Sequence, residues 1–451
     1  MNQTLSTSYW SIFRISFPLM LGSAAQNIMA MIDSAFLYHL SEVDFAAIGF
    51  VGIFYLMITA IGYGFSKGGQ IVIAHYYGAE QPEMIGKSFR AMLTFELILA
   101  LAMFLFMQYG AYYFFSLMVD SDEIFYKSLE YLEYRSWGVF AAYSGVAMIA
   151  LYTGIARPQF IMIDTSIIVV INIILCYGLV FGQWGMPEMG IAGAGLSSTI
   201  AEFTGTLIFI GYMIFDKKIR NFKILKLGKI DWQTIKQQYK LSIPIIAQLV
   251  SGVGSWLLFF GIIENLGTHA LAISNLVRIV YLILAIPCWG FSATVNTLVS
   301  GFIGARKRMA VLPITWRTAK LSVFTTAIFA LPFVLFPEFC LYPIFGGRPE
   351  MVIIDDAKPI LIVLYFILIA FSFGGVFFNA LVGTGATWFG LKIQFITVSI
   401  YIAYVYIIIE FFNGNLSWAW SAEIPYWLLM FGIGYWYLKT NKWHWLRIWE
   451  E

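Results

Sequence analysis

Acidic and amide side chains sit inside otherwise apolar stretches of this chain, and their spacing groups them. Asp33 lies on a helical stripe with Gly22, Gln26 and Ala30, at spacings of four, four and three residues. Asn172 and Cys176 share a face of a later stretch, with Asp164 and Thr165 lower on it. Gly195, Ser198, Glu202, Gly205 and Thr206 share a face of the next. A charge held in an apolar medium is costly and usually functional. Two nearby carboxylates in a low-dielectric pocket can hold one proton between them near neutral pH. The expected ion-handling residues are therefore Asp33, Asn172, Glu202, Ser198 and Cys176.

The second half of the chain offers different groups. Arg278 is a cation inside an apolar stretch, and Gln248 is an amide in the preceding one. With Gln26 and Met29 they are the expected lining of a substrate cavity, to which the many Met and aromatic residues lend pliability. Pro18 lacks a backbone donor and opposes a straight helix, so it is the expected hinge. Enzyme chemistry is not expected, because His39, His75, His269 and His444 all lie near loops or ends. Cys176, Cys288 and Cys340 form no metal or disulfide pattern. The Gly-rich stretches lack the Gly-Lys-Ser/Thr of a phosphate loop. A net charge of +2 gives no reason to expect nucleic acid.

The elements that carry these residues are membrane helices. Of the 451 residues, 60% are hydrophobic and 12% charged, whereas a soluble domain carries roughly 25% charged residues. A spanning helix needs about 20 apolar residues. Twelve such segments are legible, at 10–38, 46–76, 89–118, 131–155, 159–183, 190–215, 240–265, 270–302, 318–345, 358–384, 388–412 and 418–438. Lysine and arginine gather in alternate loops, above all in 216–240 with Lys217, Lys218, Arg220, Lys223, Lys226, Lys229, Lys236 and Lys240. The opposite loops are acidic or neutral. This asymmetry places both termini in the cytoplasm, with lipid around the helices.

The chain also repeats itself. A shift of 226 residues places Pro18 on Pro244, Leu40 on Leu266, Ala46 on Ala272, Gly64-Phe65-Ser66 on Gly290-Phe291-Ser292, and Gly78-Ala79 on Gly304-Ala305. A shift of 230 aligns Gly145-Val146 with Gly375-Val376. The expected architecture is all-α, with twelve transmembrane helices in two parallel six-helix bundles: residues 1–220, a basic linker 221–239, and residues 240–451. At the shift of 226, Asp33 meets Phe259. The second bundle is thus expected to lack acids and to supply only cavity wall.

Several motifs resemble those of the multidrug and toxic compound extrusion (MATE) family. They are Gly64-Phe65-Ser66 through Ala74-His75-Tyr76-Tyr77-Gly78-Ala79, its second copy from Gly290 to Ala305, Pro18 with Asp33, Asn172-Ile173-Ile174-Leu175, and Gly190-Ile191-Ala192-Gly193-Ala194. The resemblance spans essentially the whole chain. It implies a V-shaped central cavity and export of drugs or organic cations against inward Na⁺ or H⁺. In the family's sodium-binding members an aspartate follows the Asn-x-x-Leu motif, where this chain has Cys176. A thiol is a poor ligand for a hard cation. H⁺ is therefore favoured as coupling ion, with Na⁺ at Asp33 and Asn172 as the alternative.

The resulting expectation is secondary active efflux of small cationic or amphipathic molecules by antiport. It places a monomer without a cofactor in a bacterial inner membrane. The alternative is a flippase for lipid-linked oligosaccharides or peptidoglycan precursors, for which Arg278 is the only hint.

Overall fold

The computed structural model of the protein describes residues 7–119, 121–224, 231–341, 351–412, 414–440 and 443. Among them there is no strand. The long helices are α1 (Tyr9–Leu40), α2 (Glu42–Gly78), α3 (Pro82–Leu105), α4 (Asp122–Arg135), α5 (Gly138–Gly154), α6 (Gln159–Phe181) and α7 (Gly190–Phe215). They continue with α8 (Trp232–Glu264), α9 (Thr268–Leu284), α10 (Ile286–Gly304), α11 (Val311–Leu335), α12 (Met351–Gly383), α13 (Thr387–Glu410) and α14 (Glu423–Lys439). Helix α3 runs on through a π turn into Ala111–Ser116, and Leu416–Ser421 leads into α14. Two pairs are bent at a short break, α4 with α5 by 56° and α9 with α10 by 44°, and each is counted as one run. Counted so, twelve helical runs overlay the twelve expected segments. Eight single helices are long and apolar enough to cross a bilayer, and the two bent pairs each qualify together.

Local chemistry explains the ends and breaks. Ser41 caps α2 by accepting from the backbone N–H of Asp44 at 3.0 Å. Pro82 opens α3 and Pro287 lies in the first turn of α10, where the missing N–H costs no internal bond. Asp231 caps α8, accepting from the backbone N–H groups of Gln233 and Thr234. Its Lys87 partner lies at 2.7 Å. Burial pushes the Asp231 carboxyl up, but the Lys87 and Thr234 hydrogen bonds outweigh it and hold the group down at about 2.

The chain packs into two compact units that do not coincide with its sequence halves. One contains Leu21–Ile246; the other contains Met1–Met20 and Ala247–Glu451. Helix α1 therefore changes unit after Met20 and α8 after Ile246, each two residues beyond its proline, Pro18 or Pro244. These two positions are again 226 apart.

The contacts that fix each exchanged helix end obey the same shift. In one unit Ser242 donates to the Phe65 carbonyl at 2.9 Å and lies against Gly68, where a Cβ would collide with it. In the other, Ser16 donates to Thr294 Oγ1 at 2.8 Å. Ser16 and Thr294 are the 226-shifted counterparts of Ser242 and Gly68. The turns that close α2 and α10 match as well. Glu80 (φ 55°) and Arg306 (φ 57°) both adopt the left-handed conformation that costs a side-chain-bearing residue about 1 kcal/mol or more. The repeat is thus preserved in backbone geometry where residue types have diverged.

Within the 21–246 unit, α2 packs on α3, α4 and α5, and α7 packs on α4, α5 and α6. Within the other unit, α12 is central and touches α9, α10, α11 and α14. Small residues permit this closeness. A Cβ at Gly374 would overlap the Trp427 carbonyl, and one at Gly383 would lie 2.7 Å from the Asn296 carbonyl.

Candidate functional site

Three helices of the 21–246 unit bring Asp33, Asn172 and Ser198 together. Asp33 is on α1 and only 6% exposed. Ser198, on α7, donates to Asp33 Oδ2 at 2.8 Å and accepts from Asn172 Nδ2 on α6 at 3.0 Å. Cys176 lies one turn beyond Asn172 on α6 and flanks Asp33. Asp33 Oδ1 and Asn172 Oδ1 are both buried without a hydrogen-bond partner. Two orphaned oxygens in one polar cluster are unusual, because buried acceptors are ordinarily satisfied. The Asp33 carboxylate oxygen can accept a proton, and both oxygens have the chemistry of cation ligands.

Glu202 is one turn from Ser198 on α7, but its carboxylate is engaged. Arg135, at the end of α4, donates to both of its oxygens, at 2.8 and 2.5 Å. The Tyr55 ring lies beneath the guanidinium, 3.9 Å from centroid to Cζ. Both partners are largely buried. Gly138 makes room for the pair, since a Cβ there would collide with Arg135 Nη1 and stand 3.0 Å from Glu202 Oε2. Gly195 likewise lets α7 approach the Tyr131 carbonyl. The small-residue face of α7 is what admits an ion pair between α4 and α7. Arg135 is close enough to act on Asp33, with its charge balanced by Glu202.

The donor set is a limited match for Na⁺. It offers one carboxylate, one amide and one hydroxyl, with a thiol in the position where another oxygen would complete the shell. Among the described residues no group of three or more His, Cys, Asp or Glu could hold a metal ion. A single proton needs only one of the orphaned oxygens.

Other expected residues fall elsewhere. Met29 is half-buried on α1, one turn before Asp33. The Gln26 side chain lies outside the described residues. Gln248 and Arg278 belong to the other unit. Gln248 donates to the Thr387 carbonyl at 3.0 Å. Arg278 lies over the Phe260 ring at 5.4 Å with its Nε buried and unpartnered. Asp164 is also buried, with Oδ1 unpartnered. Glu96, fully buried on α3, accepts from Ser66 Oγ at 2.6 Å.

Two charged residues escaped the sequence reading. Arg135 lies at the polar start of the expected segment 131–155, just after the acid-rich stretch 120–133. Glu423 opens α14 and is 4% exposed. It corrects the expectation that acids persist in only one half. The second bundle has a buried carboxylate, carried on its last helix rather than opposite Asp33 on its first.

Two six-helix units, a 226-residue repeat and a buried polar cluster inside one unit define a membrane protein of the twelve-helix, two-bundle class. The MatE family model matches residues 18–178 and 244–407, starting both times at the repeated proline, and the chain belongs to that family. A relative from Thermotoga maritima, "Probable multidrug resistance protein NorM", is 25% identical over 92% of this chain and 88% of its own. The Bradyrhizobium diazoefficiens protein of the same description is 26% identical over 65% of this chain, and the match spans 63% of its length. Among solved structures, one described as "Crystal structure of MATE in complex with MaL6" superposes with TM-score 0.86 at 18% identity, over 96% of both chains. A MOP superfamily transporter from Pyrococcus furiosus, whose description reports a binding pocket of reversed polarity, superposes with TM-score 0.84 at 17% identity over 96% of this chain and 95% of its own.

Proposed function

We propose that the protein exports small cationic or amphipathic organic molecules by alternating access, in exchange for inward H⁺ bound at Asp33. The observation that supports this reading best is the Asp33–Ser198–Asn172 cluster with its two orphaned oxygens. A buried carboxylate without a direct ion pair relieves its desolvation by binding a proton or a cation. One feature favours the proton: Cys176 offers sulfur where a sodium shell needs oxygen. In this reading Ser198 and Asn172 orient Asp33, while Glu202 neutralises Arg135 and carries no ion itself. The relatives described as multidrug resistance proteins support an organic cargo. The monomer is the transporting unit, embedded in a bacterial inner membrane with both termini cytoplasmic.

The test is purified protein in liposomes, with uptake of an organic cation measured under separately imposed pH and Na⁺ gradients. Uptake driven by the pH gradient alone is expected. Uptake driven only by Na⁺, with pH equal on both sides, overturns the proton assignment. Arg278 supports one second reading. Its buried, unpartnered Nε would suit an anionic cargo such as a lipid-linked pyrophosphate, and flipping of such a lipid in the same liposomes would favour it.

A further inference from the structure

The acid that the transport reading leaves unused is Glu423. Its Oε2 accepts from Trp427 Nε1 at 3.0 Å, one turn along α14, and from Tyr281 Oη on α9 at 3.3 Å. The walls are aromatic. Phe371 of α12 stacks on Trp427 at 3.9 Å and runs parallel to Tyr281 at 6.4 Å. Trp256 of α8 lies 5.2 Å from Tyr281. Among the described residues, the titratable groups facing Glu423 are the tyrosines Tyr281 on α9, Tyr401 on α13 and Tyr426 on α14. Among the described residues no lysine, arginine or histidine forms an ion pair with it.

Placement adds a second argument. Asp33 lies inside α1, whereas Glu423 is the first residue of α14, after the break at Ala422. Phe259, the counterpart of Asp33 under the 226 shift, packs on Trp420 at 5.2 Å, three residues before Glu423. The second unit thus holds an acid close to the residue that stands in place of Asp33, supplied by a different helix.

We infer that Glu423 is a second proton-binding site, in which one H⁺ from water converts the carboxylate to the neutral acid and reverses the Tyr281 hydrogen bond. The chemistry of the two donors makes the site responsive. An indole N–H can only donate, so Trp427 serves either form. A phenol donates or accepts, so Tyr281 donates to the carboxylate and accepts from the carboxylic acid. Burial without a cation favours the neutral form and the two donors favour the anion, so the two influences oppose each other. The helix break at Ala422, between Leu416–Ser421 and α14, gives the change somewhere to act. This site does not depend on the role assigned to Asp33.

The test is indole ¹⁵N–¹H spectroscopy of the full-length, ¹⁵N-tryptophan-labelled protein in lipid nanodiscs. The Trp427 signal is assigned by its loss in Trp427→Phe. Between about pH 5 and about pH 9, where a perturbed carboxyl can change state, the Trp427 signal is expected to move in one step. The step is expected to vanish in Glu423→Gln and persist in Asp33→Asn. In Tyr281→Phe, which removes a donor to the anion, the midpoint is expected to rise by about half a pH unit or more. That variant carries the test if Glu423→Gln does not fold. A flat Trp427 signal in the folded protein overturns the inference, as does a step unaffected by Glu423→Gln or, where that variant does not fold, by Tyr281→Phe. A shift driven by Na⁺ at constant pH assigns the site to a metal cation and also overturns it. None of these readouts requires transport, so a protein whose transport defeats the Asp33 reading can still support or refute this one.

Discussion

In the unit spanning residues 21–246, two buried acids sit near a buried arginine, Glu202 paired with Arg135 and Asp33 close to it, while Glu96 and Asp164 have no such partner. In the unit containing residues 247–451, Glu423 has only tyrosine and tryptophan donors. The same duplicated scaffold therefore holds buried charge in two ways. In the reading proposed above, the neutral aromatic wall around Glu423 leaves the proton as its means of discharge. The repeat has kept its backbone turns and helix-exchange contacts while its charged residues moved to different helices.

The strongest challenge to this comparison is Asp33→Asn. The amide keeps the shape but can neither bind and release the proton nor neutralise a cation. Gradient-driven export is expected to be lost while the size-exclusion profile stays unchanged. Normal coupled export by the folded variant would move the coupling site elsewhere, with Glu423 next in line.

Next in size is Arg135→Met. Removing one partner of a buried pair costs about 3–5 kcal/mol, because the Glu202 carboxylate is left uncompensated. A large drop in thermal stability in detergent is expected. The double variant Arg135→Met with Glu202→Leu is expected to recover most of it, since an apolar replacement of both partners is often neutral. If the double variant is no better than the single one, the arginine does more than balance Glu202.

Cys176→Asp sharpens the ion assignment. It adds a hard oxygen ligand next to Asp33 and is expected to raise the Na⁺ dependence of transport in liposomes. An unchanged ion preference would show that the thiol is not what excludes sodium.

Pro18→Ala and Pro244→Ala compare the two exchange points directly. Each restores a backbone donor within a continuous helix. Both variants are expected to fold and to transport several-fold more slowly, Pro18→Ala more so because its helix carries Asp33. Equal rates to the unmodified protein would remove these prolines from the conformational change.

The smallest effect is at the α8 cap. Because the Asp231 carboxyl is held at about 2 against an ordinary value of 3.8, it stabilises the folded protein above that ordinary value. The contribution fades as pH falls from about 4 toward 2. Melting curves for Asp231→Asn are expected to show a shallower loss of stability over that acid range.

The spans were readable because apolar runs of this length have one solution in lipid. The repeat was readable because glycines and prolines at constrained backbone positions resist change. Asp33, Asn172, Cys176 and Ser198 were readable because polar groups stand out in such runs. Arg135 was obscured by its position at the end of the acid-rich stretch 120–133, where a charge looks like loop. Glu423 was missed because the fixed shift searched for a partner to Asp33 on the equivalent helix, whereas packing supplies the acid from another. The change of unit within α1 and α8 leaves no trace in periodicity, since both stretches are helical on either side of it.

That change of unit bears on how the protein is made. The unit spanning residues 21–246 lacks part of its wall until the ribosome has passed Ile246, well into what reads as the second half. The start of α1 must wait longer still, until α10 emerges to receive Ser16. Synthesis therefore cannot finish one bundle before beginning the other. Cutting the gene in the basic loop would yield two fragments, each missing a piece carried by its sibling, and neither fragment is expected to fold fully without the other.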